Sequence, residues 1–172
     1  MLNQTISYRI AREYDVPNIL NVIQESFEEY RGKLNPPSSA HDKTVKKVQE
    51  ELAAATVFVA QDKTTLVGCV FFRRQEDYIY LNRLSVLPAW RKMGIAGELI
   101  GLVEQQTIKQ GLTKVRLSVR LALLENQAYY QKKGYEFKHY GTHSGYTEPT
   151  YMVLEKQLRP SGRRPEALRS AA

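Results

Sequence analysis

Residues 86–99 read Val86-Leu87-Pro88-Ala89-Trp90-Arg91-Lys92-Met93-Gly94-Ile95-Ala96-Gly97-Glu98-Leu99. An apolar strand runs into a proline, which cannot continue a ladder. A basic pair follows, then small residues at 94, 96 and 97, and a helical pattern begins. A turn of this kind leaves backbone N–H groups at a helix start with no bulky side chains in front of them. With the positive end of the helix dipole behind, it is suited to hold a phosphate. The spacing excludes two familiar phosphate loops, because neither G-x-x-x-x-G-K-[ST] nor G-x-G-x-x-G occurs here.

On the N-terminal side of this turn, Tyr8-Arg9-Ile10 reads as a short strand and Asp15 as the cap of a helix with Pro17 in its first turn. That helix carries Ile19, Leu20, Val22, Ile23 and Phe27 at helical spacing and ends near Gly32. Asn35 to Ser39 is loop, and Thr44 to Ala55 a second helix. Thr56–Gln61, Leu66–Arg73 and Tyr78–Val86 are three strands at meander spacing. On the C-terminal side, Ile95 to Gln110 reads as a helix with Ile95, Leu99, Leu102 and Val103 on its buried stripe, stopped by Gly111. Val115, Leu117 and Val119 alternate as a fifth strand. Glu125 to Lys133 is a short helix closed by Gly134, and Tyr135–Tyr140 and Thr150–Glu155 are the last strands. The order is β-α-α-β-β-β-α-β-α-β-β, an α/β (α+β) chain with a mixed central sheet of about seven strands and four helices.

The 172 residues suit one domain, expected over residues 1–158, followed by a basic, flexible tail at 159–172. Four arginines against one glutamate give that tail +3 of the net +7, and the remaining +4 suits a binder of a polyanionic cofactor. Such a tail can touch nucleic acid, but a solvated terminus is the more common use, so nucleic acid is not the expected partner. Met1 to Ser7 has neither a basic start nor an apolar run, and no stretch has the roughly 18 apolar residues of a membrane span. One cysteine, Cys69 in an apolar strand, fits a reducing cytoplasm and reads as core packing. Three scattered histidines offer no metal-ligand cluster, so no metal is expected.

Arg91-x-x-Gly94-x-Ala96, placed between the fourth strand and the third helix, resembles the acetyl-CoA pyrophosphate loop of the GNAT family of N-acetyltransferases. The stretch from Glu125 to Tyr135 resembles that family's segment in which an aromatic residue stands four positions before Gly-Phe/Tyr. With the element order, the resemblance covers Tyr8 to about Leu158 and implies the GNAT acyl-CoA N-acyltransferase fold. It implies acetyl-CoA as acetyl donor and a primary amine as acceptor, attacked directly in a ternary complex. Leu84, Ser85 and Val86 would pair through their main chain with the pantetheine arm where strands four and five splay apart, and an N–H near Val86 would polarise the thioester carbonyl. Arg91, Lys92, Met93, Gly94, Ile95, Ala96 and Gly97 would face the pyrophosphate. Asn126 would bond the arm or the tyrosine, and Lys133, with Lys132, would lie near the 3′-phosphate. Tyr130 would be the general acid that returns a proton to the thiolate; Tyr129 points about 100° away from it. A packing or surface role is the alternative for each of these side chains.

The chain departs from relatives that carry a glutamate on strand four, because Tyr78 to Val86 holds no carboxylate. The base candidates are a water relay on Asn82 or Tyr80, or Glu28, Glu29 or His143. Glu28, Glu29 and Tyr30 would wall the acceptor site, and His143, Tyr146 and Glu148 would close its other side. The leading reading is a cytoplasmic acetyltransferase for a small-molecule amine. Its alternatives are acetylation of a protein or peptide, which needs an open groove, and a non-catalytic acetyl-CoA- or nucleic-acid-binding module. Dimers are common in this family, so a homodimer is allowed, although no interface is marked.

Overall fold

The computed structural model describes residues 5–160; residues 1–4 and most of the basic tail, from 161 to 172, lie outside the described residues. The elements are β1 (Ile6–Ile10), α1 (Val16–Phe27), α2 (Val45–Ala54), β2 (Thr56–Asp62), β3 (Thr65–Arg74), β4 (Ile79–Val86), α3 (Ile95–Lys109), β5 (Lys114–Arg120), α4 (Leu124–Lys132), β6 (Glu136–Gly141) and β7 (Tyr151–Gln157). Their order is the one expected, with ends shifted by one or two residues except in α1, which was expected to reach near Gly32 and stops at Phe27, where a 3-10 turn over Glu28–Tyr30 takes over. One sheet of seven strands runs β1-β2-β3-β4-β5-β7-β6, with β4 and β5 parallel and every other neighbour antiparallel.

Periodicity decides which face each element buries. Val16, Ile19, Val22 and Ile23 of α1 recur at helical spacing and meet Val57, Val59, Cys69 and Phe71 on one face of the sheet. Ile95, Leu99, Ile100 and Val103 of α3 cover the other face, against Val67, Val70, Phe72 and Leu117. Ile100 takes the buried place expected of Leu102, which sits half-buried at the flank of the stripe. Each such aliphatic side chain contributes about 2 kcal/mol by leaving water, so both faces are held firmly.

Asp15 is not the cap expected of it. Its side chain makes no capping bond to α1. The buried carboxylate instead accepts from the Arg9 guanidinium at 2.7 and 2.8 Å and from the Arg12 N–H at 2.8 Å. The hydrogen bond from Arg9 outweighs burial and holds this carboxyl below the usual carboxylate range. Its stabilising contribution is therefore present above the ordinary aspartate pKa and is lost as pH falls through the depressed value.

Two features of β4 shape the centre of the sheet. Its ladder with β5 holds only Ile79 opposite Val115 and Tyr80 opposite Arg116, so the strands part beyond Tyr80. Its register against β3 also slips: Asn82 faces Phe71 and Ser85 faces Cys69, three residues of advance against two. This is a β-bulge, and Arg83 adopts φ +53° within it. The bulged Arg83 carbonyl accepts from the Ser85 hydroxyl at 3.1 Å and faces the Cys69 thiol at 3.9 Å. Burial pushes the Cys69 thiol up to about 12, so it stays protonated and serves packing.

Candidate active site

A cavity of about 590 Å³ opens at the start of α3. Of the residues expected to bind the cofactor, all but Met93 and Lys132 line it; Met93 points outward, 47% exposed, and Lys132 is exposed on α4. The turn into the helix passes through the left-handed region at Lys92 (φ +62°) and again at Gly94 (φ +83°). Gly94 stands at the N-cap and has no side chain to offer, so the N–H groups of Ile95, Ala96 and Gly97 have neither a helical partner nor a capping group. Lys133 comes to the same place. A Cβ placed on Gly97 would stand 2.9 Å from the Lys133 ammonium, and among the described residues no carboxylate pairs with that ammonium. A helix start and a free cation, with bare backbone between them, are complementary to a phosphate.

Arg91 is turned elsewhere. Its guanidinium donates to Glu29 at 2.5 Å, to the Ser26 carbonyl at 2.9 Å and to the Val86 carbonyl at 3.3 Å. It ties the end of α1 to the phosphate turn, and its charge is met by Glu29. Arg91 thus braces the turn while still lining the cavity, and the Glu29 carboxylate expected as a base candidate is engaged by that guanidinium. Glu28 faces away as well, paired with Arg31 at 2.8 Å and outside both cavities. Tyr30 lines the cofactor cavity, near Asn126, with its hydroxyl pKa raised by burial and by the Glu29 charge.

A second cavity, of about 520 Å³, lies where β4 and β5 part. It meets the first at four shared residues, Phe27, Leu84, Asn126 and Tyr130. The splay makes this junction possible, because two fully paired strands would close it. Tyr129 lines the first cavity alone, whereas Tyr130 lines both. The Tyr130 ring packs edge-on against Tyr129 and Tyr135, centroids 5.5 and 5.9 Å apart. Burial drives its hydroxyl pKa up, and among the described residues no hydrogen bond opposes this, so the group is a protonated donor with no partner among them.

Asn82, Tyr80 and His143 line the second cavity. The Tyr80 hydroxyl donates to Ser118 Oγ at 3.1 Å across the gap. His143 is held on both sides: its Nε2 lies 2.8 Å from Arg120 Nη1 and its Nδ1 2.5 Å from Thr150 Oγ1. A guanidinium only donates, so Nε2 accepts and Nδ1 carries the proton. Burial and the Arg120 charge lower the His143 pKa and keep the ring neutral. With its lone pair taken, His143 orients Arg120 instead of serving as a base. Tyr146 lies outside the lining; its hydroxyl donates to Asn35 Oδ1 at 2.5 Å, joining the β6–β7 loop to the loop after α1. Glu148 lines neither cavity.

Sequence reasoning missed Arg83 and Arg120, both on the second cavity. Arg120 had a readable signal, since it closes β5 on the side opposite Val115, Leu117 and Val119, at the C-terminal end of a parallel strand, where ligands gather. Among the described residues no helix is long and apolar enough to cross a membrane, and no group of His, Cys, Asp or Glu is arranged to hold a metal.

The family profile described as the acetyltransferase (GNAT) family matches residues 18–135. No curated protein sequence matches this chain significantly. Among solved structures it is similar to the PaiA N-acetyltransferase of Thermoplasma acidophilum in complex with coenzyme A, with TM-score 0.77 at 21% identity, over 89% of this chain and 99% of that one. An acetyltransferase of the GNAT family from Staphylococcus aureus gives 0.71 at 14% identity, covering 90% and 100%. The ribosomal-protein-S18-alanine N-acetyltransferase of Escherichia coli gives 0.70 at 13%, covering 92% and 97%. Those likenesses carry the fold, while the profile spans both the phosphate turn and the Asn126–Tyr130 segment; the chain belongs to the acetyltransferase (GNAT) family of acyltransferases.

Proposed function

We propose that the protein transfers the acetyl group of acetyl-CoA to the primary amine of a small molecule, by direct attack with both substrates bound. The observation that carries this reading is the meeting of two cavities at Tyr130 and Asn126, one with the features of a phosphate site and one without. Acetyl-CoA supplies the acetyl group as an activated thioester. The N–H groups of Ile95, Ala96 and Gly97, with Lys133, hold the pyrophosphate end. Leu84, Ser85 and Val86 offer main-chain groups along the parted edge of β4. Tyr130 donates to the sulfur as negative charge gathers there.

Support for a small acceptor comes from the contacts beside the second cavity: Tyr146 ties the β6–β7 loop to Asn35, and Arg120 at the end of β5 donates to the Pro36 carbonyl, so the loop after α1 is held close to its mouth. A protein terminus or lysine would need an open groove at that place. No carboxylate lines this cavity, so the amine loses its proton to solvent water held by Asn82 and the Tyr80–Ser118 pair. The charges of Arg83 and Arg120 favour the neutral amine.

The test is free-thiol release from acetyl-CoA over a panel of small amines and unstructured peptides, run across pH. Small amines are expected to outpace peptides by about tenfold or more, with a rate that climbs with pH as the substrate ammonium loses its proton. Faster turnover of peptides, or a rate set by a protein group titrating near pH 6 to 7, would contradict the reading.

A further inference from the structure

The second cavity holds an unusual balance of charge. Arg83, Arg120 and neutral His143 line it, and no carboxylate does. Elsewhere the basic residues of β5 are matched, Lys114 by Asp77 at 2.8 Å and Arg116 by Glu155. Among the described residues no carboxylate pairs with Arg120 or Arg83. Arg120 spends two donors, on His143 and on the Pro36 carbonyl. Arg83 donates to Ser39 Oγ at 2.6 Å, and its Nε is buried with no partner at all. A buried N–H left unpaired costs about 1–3 kcal/mol, so this guanidinium is not fully satisfied by the protein.

Position reinforces charge. Pro36 and Ser39 are three residues apart, so the two guanidinium groups are anchored on one short stretch of loop, with anchor points no more than about 11 Å apart. Arg83 also makes itself felt on Lys43: burial first, and then the Arg83 charge, lowers that lysine's pKa although Glu51 pairs with it. The hydroxyls of Ser118, Thr142 and Tyr151 complete a polar wall. Two fixed forks and a set of hydroxyls in a cavity without acids match a carboxylate or phosphate, and they repel a second ammonium.

From this geometry we infer that the acceptor is an amine that also bears an anionic group, a carboxylate or a phosphate, held by Arg120 and Arg83 while the amine points toward Tyr130. The inference rests on the small-amine reading above and specifies its substrate class. It separates this protein's acceptors from polyamines, whose second cation would meet the two arginines.

Matched acceptors test it in the thiol-release assay with the full chain: β-alanine against its amide, aminoethyl phosphate against ethanolamine, and diaminopropane. At least one anionic acceptor should exceed its uncharged partner in kcat/KM by about 10- to 100-fold, mainly through KM, and the better of the two identifies the anion. Arg120→Gln should collapse that ratio and Arg120→Lys recover part of it; Arg83→Gln is the second variant. Wild-type protein that prefers the amide, ethanolamine or diaminopropane would overturn the inference while leaving the acetyltransferase reading intact. Thiol release with peptides only would instead remove the small-amine reading.

Discussion

Replacing Tyr130 with phenylalanine is expected to lower kcat about 100-fold while changing the acetyl-CoA Kd less than about twofold. Tyr130 lines both cavities where they meet, and among the described residues its hydroxyl makes no bond that its loss would break. The ring keeps its edge-on contacts with Tyr129 and Tyr135, so phenylalanine preserves the packing. Burial raises the phenol's pKa, which by itself would weaken it as an acid. A thiolate leaving into the same poorly solvated space suffers the same penalty, and its pKa rises too, so donor and acceptor stay matched. Steady-state kinetics with a saturating amine gives kcat, and calorimetry gives Kd. Unchanged kcat would remove Tyr130 as the proton donor, and a matching loss of affinity would make it a binding residue only.

The second large effect is expected at the phosphate turn. Gly94→Val should weaken acetyl-CoA binding about 100-fold in calorimetry and leave the folded state in place. Gly94 has φ +83°, a conformation that costs an L-residue about 1–2 kcal/mol and a β-branched one more. A Cβ there meets nothing within 4 Å, so no core contact is broken. The turn relieves its strain by rotating instead, and this re-aims the N–H groups of the first helical turn. Losing one or two charge-assisted hydrogen bonds, each about 1.5–3 kcal/mol, accounts for the factor. An unchanged Kd would mean that the pyrophosphate is held elsewhere.

The parts of the site that were legible in the sequence are those written in contiguous residues. The turn at 91–97 and the Asn126–Tyr130–Gly134 spacing depend on local helix geometry, and all but Met93 and Lys132 of the residues assigned to the cofactor line one cavity. The order of strands and helices was equally readable, since periods of two and of 3.6 residues declare themselves in short windows. What escaped depends on partners far apart in the chain. Arg91 meets Glu29 across 62 residues, Arg120 meets Pro36 across 84, and Tyr146 meets Asn35 across 111. Glu28 had a local sign in Arg31 three residues on, whereas nothing local marked Glu29 as the partner of a brace. The bulge at Arg83 was hidden for another reason: an arginine gives no sign of a left-handed backbone, and the slip shows only against β3. That bulge, with the end of β5 that has parted from β4 while staying paired to β7, brings Arg83 and Arg120 onto a second cavity that the sequence reading had furnished with acids.

Transfer at the junction of the two cavities needs no acetylated enzyme. The one thiol, Cys69, is buried and protonated behind the bulge and lines neither cavity. Initial-velocity kinetics, with acetyl-CoA and the best small amine varied together, tests this most directly. Double-reciprocal lines that intersect, the mark of a ternary complex, are predicted; parallel lines would require a covalent acetyl-enzyme and contradict direct transfer.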